Sequence, residues 1–152
     1  MSKKSPKIAA LIEGCRDRDW PAHYLGYFEC FNQQLFYEAH DVLEELWLAE
    51  GRAGANHGFY KGLIQFAGAF VHLQKNRLKP AAALFRLSQT YLRQYPRAHQ
   101  GLDVAKLIAC ADEWVGELES RDFSDNPMGE KSPPQLVLPT KSSLLHDGDP
   151  QI

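Results

Sequence analysis

A chain of 152 residues, 44% hydrophobic and 24% charged, can bury one real core and has the make-up of an ordinary globular domain. No apolar run approaches the roughly 20 residues that span a bilayer, so no membrane partner is expected. Three cysteines (Cys15, Cys30, Cys110), odd in number and without a CxxC pair, exclude a cysteine-rich zinc site and read as buried, reduced thiols.

In chain order, Met1-Ser2-Lys3-Lys4-Ser5-Pro6 is basic but lacks a following signal-type apolar core, which makes a cytoplasmic location the default expectation. Ser5-Pro6 reads as a cap followed by a first-turn proline, with Ile8, Leu11, Ile12 and Cys15 forming a short apolar face. Asp19-Trp20-Pro21 opens a second helix that turns Tyr24, Tyr27, Phe28 and Phe31 inward. Asn32-Gln33-Gln34 is a break, because such residues favour turns over helix interiors. A third helix is predicted over 35–49, a loop over 51–56, a fourth helix over 57–75, a fifth over 80–95 and a sixth from 102 to about 120.

No stretch of the first 120 residues alternates with period two, so a sheet is not expected. The predicted fold is all-α, a compact antiparallel bundle of five to six helices over residues 1–120. Five of nine prolines fall in the last 32 residues, which marks 121–152 as a Pro/Ser-rich tail. Within it Gln135-Leu136-Val137-Leu138 is the apolar patch able to dock in extended form on the bundle or on a partner.

Charge is distributed unevenly. Five acidic residues and no lysine or arginine lie between Glu38 and Glu50, whereas six basic residues and no acidic one lie between Lys75 and Arg97. Two helices with complementary exteriors account for this. Six charges over that length are too dilute for a nucleic-acid footprint, so no nucleic-acid partner is expected. The fifth helix's N-terminus, behind Lys75, Arg77 and Lys79, offers a phosphate its free N–H groups, although solvated side chains explain the same residues.

The third helix carries the chemistry. On a helical wheel Leu35, Phe36, Ala39, Val42, Leu43 and Leu46 form one apolar arc. His40 and Trp47 stand at its margin, with Glu44 and Tyr37 just beyond, and His40 and Glu44 are one turn apart. Glu38, Asp41 and Glu45 fall on the solvated side. The fourth helix is apolar nearly all round and should lie centrally, with a narrow stripe of Lys61, Gln65, Gly68 and His72. Its Gly62, Gly68 and Ala69 allow close approach of a neighbour. Closing an antiparallel hairpin at 50–56 sets His40 opposite Gln65 and Glu44 opposite Lys61. That predicts a cluster of His40, Glu44, Gln65 and His72, covered by Trp47 and Tyr37, with Lys61 competing for Glu44.

The pattern Phe31-Asn32, Phe36-Tyr37-Glu38-Ala39-His40-Asp41-Val42-Leu43-Glu44 and Trp47, then Gly62-Leu63-Ile64-Gln65 and His72, resembles domain-of-unknown-function family 309. Its HxxxExxW signature is matched by His40, Glu44 and Trp47, and the resemblance covers roughly residues 20 to 115. It implies an all-helical bacterial or archaeal domain whose signature has been suggested to bind metal, and it implies no substrate.

Three readings of the cluster stay open. It is a structural polar pair, a divalent-metal or small-ligand site on His40, Glu44, Gln65 and His72, or a catalytic pair with Glu44 as base and His40 as orienter. The chain has no nucleophile elbow, P-loop, dinucleotide fingerprint or HExxH, so no motif supports an enzyme. A different class of reading is a scaffold or interaction module, self-associating or binding a protein, through Trp20, Tyr24, Tyr27, Tyr60, Tyr91, Tyr95 and Trp114.

Overall fold

A computed structural model describes residues 5–139. The basic start at Met1–Lys4 and positions 140–152 of the expected tail lie outside the described residues. Helix α1 (Ser5–Leu11) leads through a short 3-10 turn to α2 (Ala22–Asn32), in which residues 24–28, Cys30 and Phe31 are buried. The predicted break after Asn32 is a Schellman turn. Leu35 N–H donates to the Cys30 carbonyl and Gln34 N–H to that of Phe31, with Gln34 in the left-handed region at φ 63°. Asn76 and Asp122, at φ 58° and 52°, close α4 and α6 in the same way.

Helices α3 (Phe36–Glu50) and α4 (His57–Gln74) pack on one another across the 51–56 loop, as the hairpin reading required. Helix α4 is central. Its Leu63 carbonyl accepts the Tyr27 hydroxyl of α2 at 2.6 Å, and its Phe66 stacks on Phe31 at 5.6 Å. On its other side lie α5 (Leu78–Leu92) and α6 (Val104–Ser120), with Phe70 edge-on to Trp114 at 5.1 Å. The small residues serve α5: a Cβ on Gly62 would stand 2.9 Å from Leu92 and 3.2 Å from the Ser88 carbonyl. Helix α5 starts two residues before Pro80, which the first turn tolerates because its missing N–H would have no intrahelical partner there.

A sheet was not expected, yet β1 (Ala98–His99) pairs antiparallel with β2 (Leu102–Asp103). Two-residue strands carry no legible period. The turn carries the signal instead, since Gln100 and Gly101 both have positive φ (48° and 75°), as a type I′ hairpin needs. Asp103 then caps α6, accepting from the Lys106 N–H at 3.0 Å.

Beyond α6 the chain folds back over the bundle. Leu136 is buried, and the Asn32 side chain acts as a strand-like partner for its backbone. The Leu136 N–H donates to Asn32 Oδ1 at 2.6 Å, and Asn32 Nδ2 donates to the Leu136 carbonyl at 2.7 Å. The Gln135–Leu138 patch therefore docks, anchored at the last residue of α2.

Candidate functional site

Phe36, Ala39, Val42 and Leu43 bury one face of α3 completely, which fixes the helix's rotation about its axis. His40 and Glu44 are then held half-buried at the margin, as the wheel requires. Asp41 corrects the sequence reading. It is not solvated surface: its side chain is 15% exposed, and its Oδ1 lies 3.2 Å from His40 Nδ1. The face called solvent-facing is overlaid by α1 and α2, because Glu45 accepts from the Ser5 hydroxyl at 2.7 Å and meets His23 Nε2 at 2.8 Å. Those bonds hold the Glu45 carboxyl below its ordinary range. One ligand atom each from His40, Asp41 and Glu44 lies within 4.8 Å of the others.

Beside this cluster, between α3 and α4, is a cavity of about 260 Å³. Its α4 wall is the polar stripe read from the sequence: Lys61, Gln65, Gly68 and His72, spaced three and four residues apart and so on one face. His40 and Tyr37 line the α3 side. Two wall atoms are buried without a hydrogen bond, Gln65 Oε1 and His72 Nδ1. Burial, then the positive charges of Arg77 and Lys75, push the His72 imidazole below its ordinary value and keep it neutral at pH 7.

The four predicted site residues thus form two groups that share His40. Glu44 stands with His40 and Asp41, whereas Gln65 and His72 stand with His40 across the cavity. Lys61 does not compete for Glu44. Its ammonium sits over the Trp47 ring at 4.6 Å, and among the described residues it makes no ion pair. Trp47 is tied to α4, its indole N–H donating to the His57 carbonyl at 3.1 Å and its ring lying 5.0 Å from that of His57. The indole therefore positions Lys61. Tyr37 is 53% exposed and forms a rim, not a cover.

A second polar cluster, at the N-terminal end of α4, was not legible in the sequence. Asn56 Oδ1 meets His99 Nε2 at 2.7 Å, Asn56 Nδ2 donates to Gln100 Oε1 at 2.8 Å, and Gln100 Nε2 reaches the Tyr60 hydroxyl at 3.3 Å. The Tyr24 hydroxyl donates to the Gln100 carbonyl at 3.0 Å. Its members come from a loop and a hairpin more than forty residues apart, so no local spacing announces them.

The larger cavity, about 500 Å³ between α6 and the docked segment, has none of the unbonded buried polar atoms on its wall. Cys110 there and Cys30 in the core are free, and burial pushes both thiols up to about 11. Tyr24, Tyr27, Tyr60 and Trp114, offered in the interaction reading as surface, are core.

Fold and site together define a small all-α helical bundle packed around α4, with a half-buried His-Asp-Glu cluster beside a cavity of mixed polar and apolar wall. Residues 24–84, from α2 into α5, match the family described as a domain of unknown function (DUF309), which supports the resemblance read from the motif. That match includes every candidate site residue and leaves α6 and the docked segment outside it. No curated protein and no solved structure matches the chain.

Proposed function

We propose that this chain binds a divalent cation on α3 through His40, Asp41 and Glu44. The observation that carries the reading is the approach of three donor atoms to within 4.8 Å of one another on a single helix. One imidazole and two carboxylates suit a borderline cation of the zinc or manganese kind. Metal–ligand distances of about 2.0–2.2 Å put two ligands no more than about 4.4 Å apart, so small side-chain rotations close the set. Three protein ligands leave coordination positions open to water or a ligand, as in catalytic rather than structural zinc sites. Gln65 and His72 lie across the adjoining cavity, where a molecule bound to the ion would extend.

Metal analysis of protein purified without a histidine tag tests this reading. The expected result is about one equivalent of metal in the native chain, lost in Glu44→Ala with the helical spectrum retained. Metal absent from the native chain, or retained in that variant, refutes it.

A second reading, a non-enzymatic scaffold or interaction module, is favoured by the bonds that join neighbouring helices here. Trp47 to His57 ties α3 to α4, and Ser5 and His23 to Glu45 tie α1 and α2 to α3. A partner or a second copy then meets the outer surface, and mass that rises with concentration in solution is its measurable consequence. A mass that stays monomeric at all concentrations, with no co-purifying protein, counts against it.

A further inference from the structure

The α4 wall of the smaller cavity carries more unspent bonding capacity than a purely structural surface requires. Gln65 is 9% exposed, its Oε1 has no partner, and its side chain makes no hydrogen bond among the described residues. A buried amide oxygen left unbonded is costly, and native interiors rarely keep one without cause. His72 Nδ1 is orphaned on the same wall. Lys61 adds an ammonium held on an indole and unclaimed by any carboxylate among the described residues. Lys75, whose ammonium lies 6.0 Å from the Tyr37 ring centre, makes the rim positive as well. Between these groups Gly68 has no side chain to fill the space, and Ile64, Val71 and Leu84 supply apolar wall.

Each group asks for a complement. An uncommitted ammonium asks for an anion. The Gln65 oxygen asks for an O–H or N–H donor, and the aliphatic wall asks for a short carbon skeleton. About 260 Å³ is slightly below the roughly 300–1,000 Å³ typical of drug-sized ligand sites, so the guest is a small molecule, and a short carbon skeleton fits with room to spare. We infer that this cavity binds a small hydroxy-carboxylate, its carboxylate on Lys61 and its hydroxyl donating to Gln65 Oε1. The inference goes beyond metal binding and does not depend on it, because the recognising groups all lie on α4.

The test uses the full chain, stripped of metal with a chelator, so that failure of the metal reading leaves it untouched. Lactate, propionate (the same skeleton without the hydroxyl) and inorganic phosphate are titrated while the Gln65 side-chain amide and the His72 ring are followed by NMR. Lactate is expected to shift both signals saturably, and propionate to bind at least about ten-fold more weakly. Lys61→Met should weaken lactate about ten-fold or more while the backbone spectrum is kept. Gln65→Leu should erase the preference for lactate over propionate. Equal binding of lactate and propionate, no saturable shift with lactate, a response to phosphate alone, or undiminished lactate binding in Lys61→Met would each overturn the inference. If Lys61→Met fails to fold, Gln65→Leu and the ligand comparison still decide the matter.

Discussion

At the N-terminal end of α4, Asn56, His99, Gln100 and Tyr60 bond to one another in a chain with each distance at or under 3.3 Å. Along the same helix, Gln65 and His72 present the same kinds of polar group to a cavity and leave Oε1 and Nδ1 without partners. Residue type alone does not separate the two regions; the state of their hydrogen bonds does. A satisfied network rigidifies the fold and fixes the hairpin on the bundle. An unsatisfied one spends stability on capacity to bind, which is why the α3–α4 cavity, and not the larger one under the docked segment, is the candidate site.

Opposite signs of substitution are the strongest way to break that contrast. Asn56→Ala leaves both His99 and Gln100 short of a partner and should lower stability by about 2–3 kcal/mol in chemical denaturation. Gln65→Leu removes an orphaned amide of similar length and should raise stability of the unliganded chain by about 1 kcal/mol. Destabilisation by Gln65→Leu of the size seen for Asn56→Ala would mean that the two regions are alike after all.

A pH series sharpens the comparison from both ends. His72 and His99 each lie below the ordinary imidazole value of 6.5, the first through burial aided by Arg77 and Lys75, the second through burial. The unfolded chain therefore takes up protons before the folded one as pH falls. Stability should be full above about pH 6.5 and decline below it until the folded imidazoles protonate. Denaturation midpoints measured from pH 7.5 to 5 should show this slope, and His72→Gln and His99→Gln should each flatten part of it. The smallest effect is expected at His40. Among the described residues its one short polar contact is with its chain neighbour Asp41, so His40→Ala should cost less than about 1 kcal/mol while removing a ligand of the proposed metal site.

The helices were legible because apolar periodicity reports which face is buried, and the stripe Lys61-Gln65-Gly68-His72 emerged on the cavity wall for that reason. Asp41 and Glu45 were misread as solvated because a wheel treats one helix at a time. It holds no information about α1 and α2 lying across that face, with Ser5 and His23 bonded to Glu45. The hairpin register set Lys61 opposite Glu44 as a competing partner, whereas the Trp47 ring captures it. Asn32, read as a helix breaker, also clamps Leu136 from more than a hundred residues away, a pairing no local pattern encodes.

The most direct test is a titration of the chain with zinc, followed through the imidazole nitrogens of its histidines. Cation binding at the proposed α3 site predicts a saturable change at His40 complete near one equivalent, with His72 and His99 unmoved, and its loss in Asp41→Asn and Glu44→Gln. A His40 signal indifferent to zinc, or saturation that survives both substitutions, would contradict it.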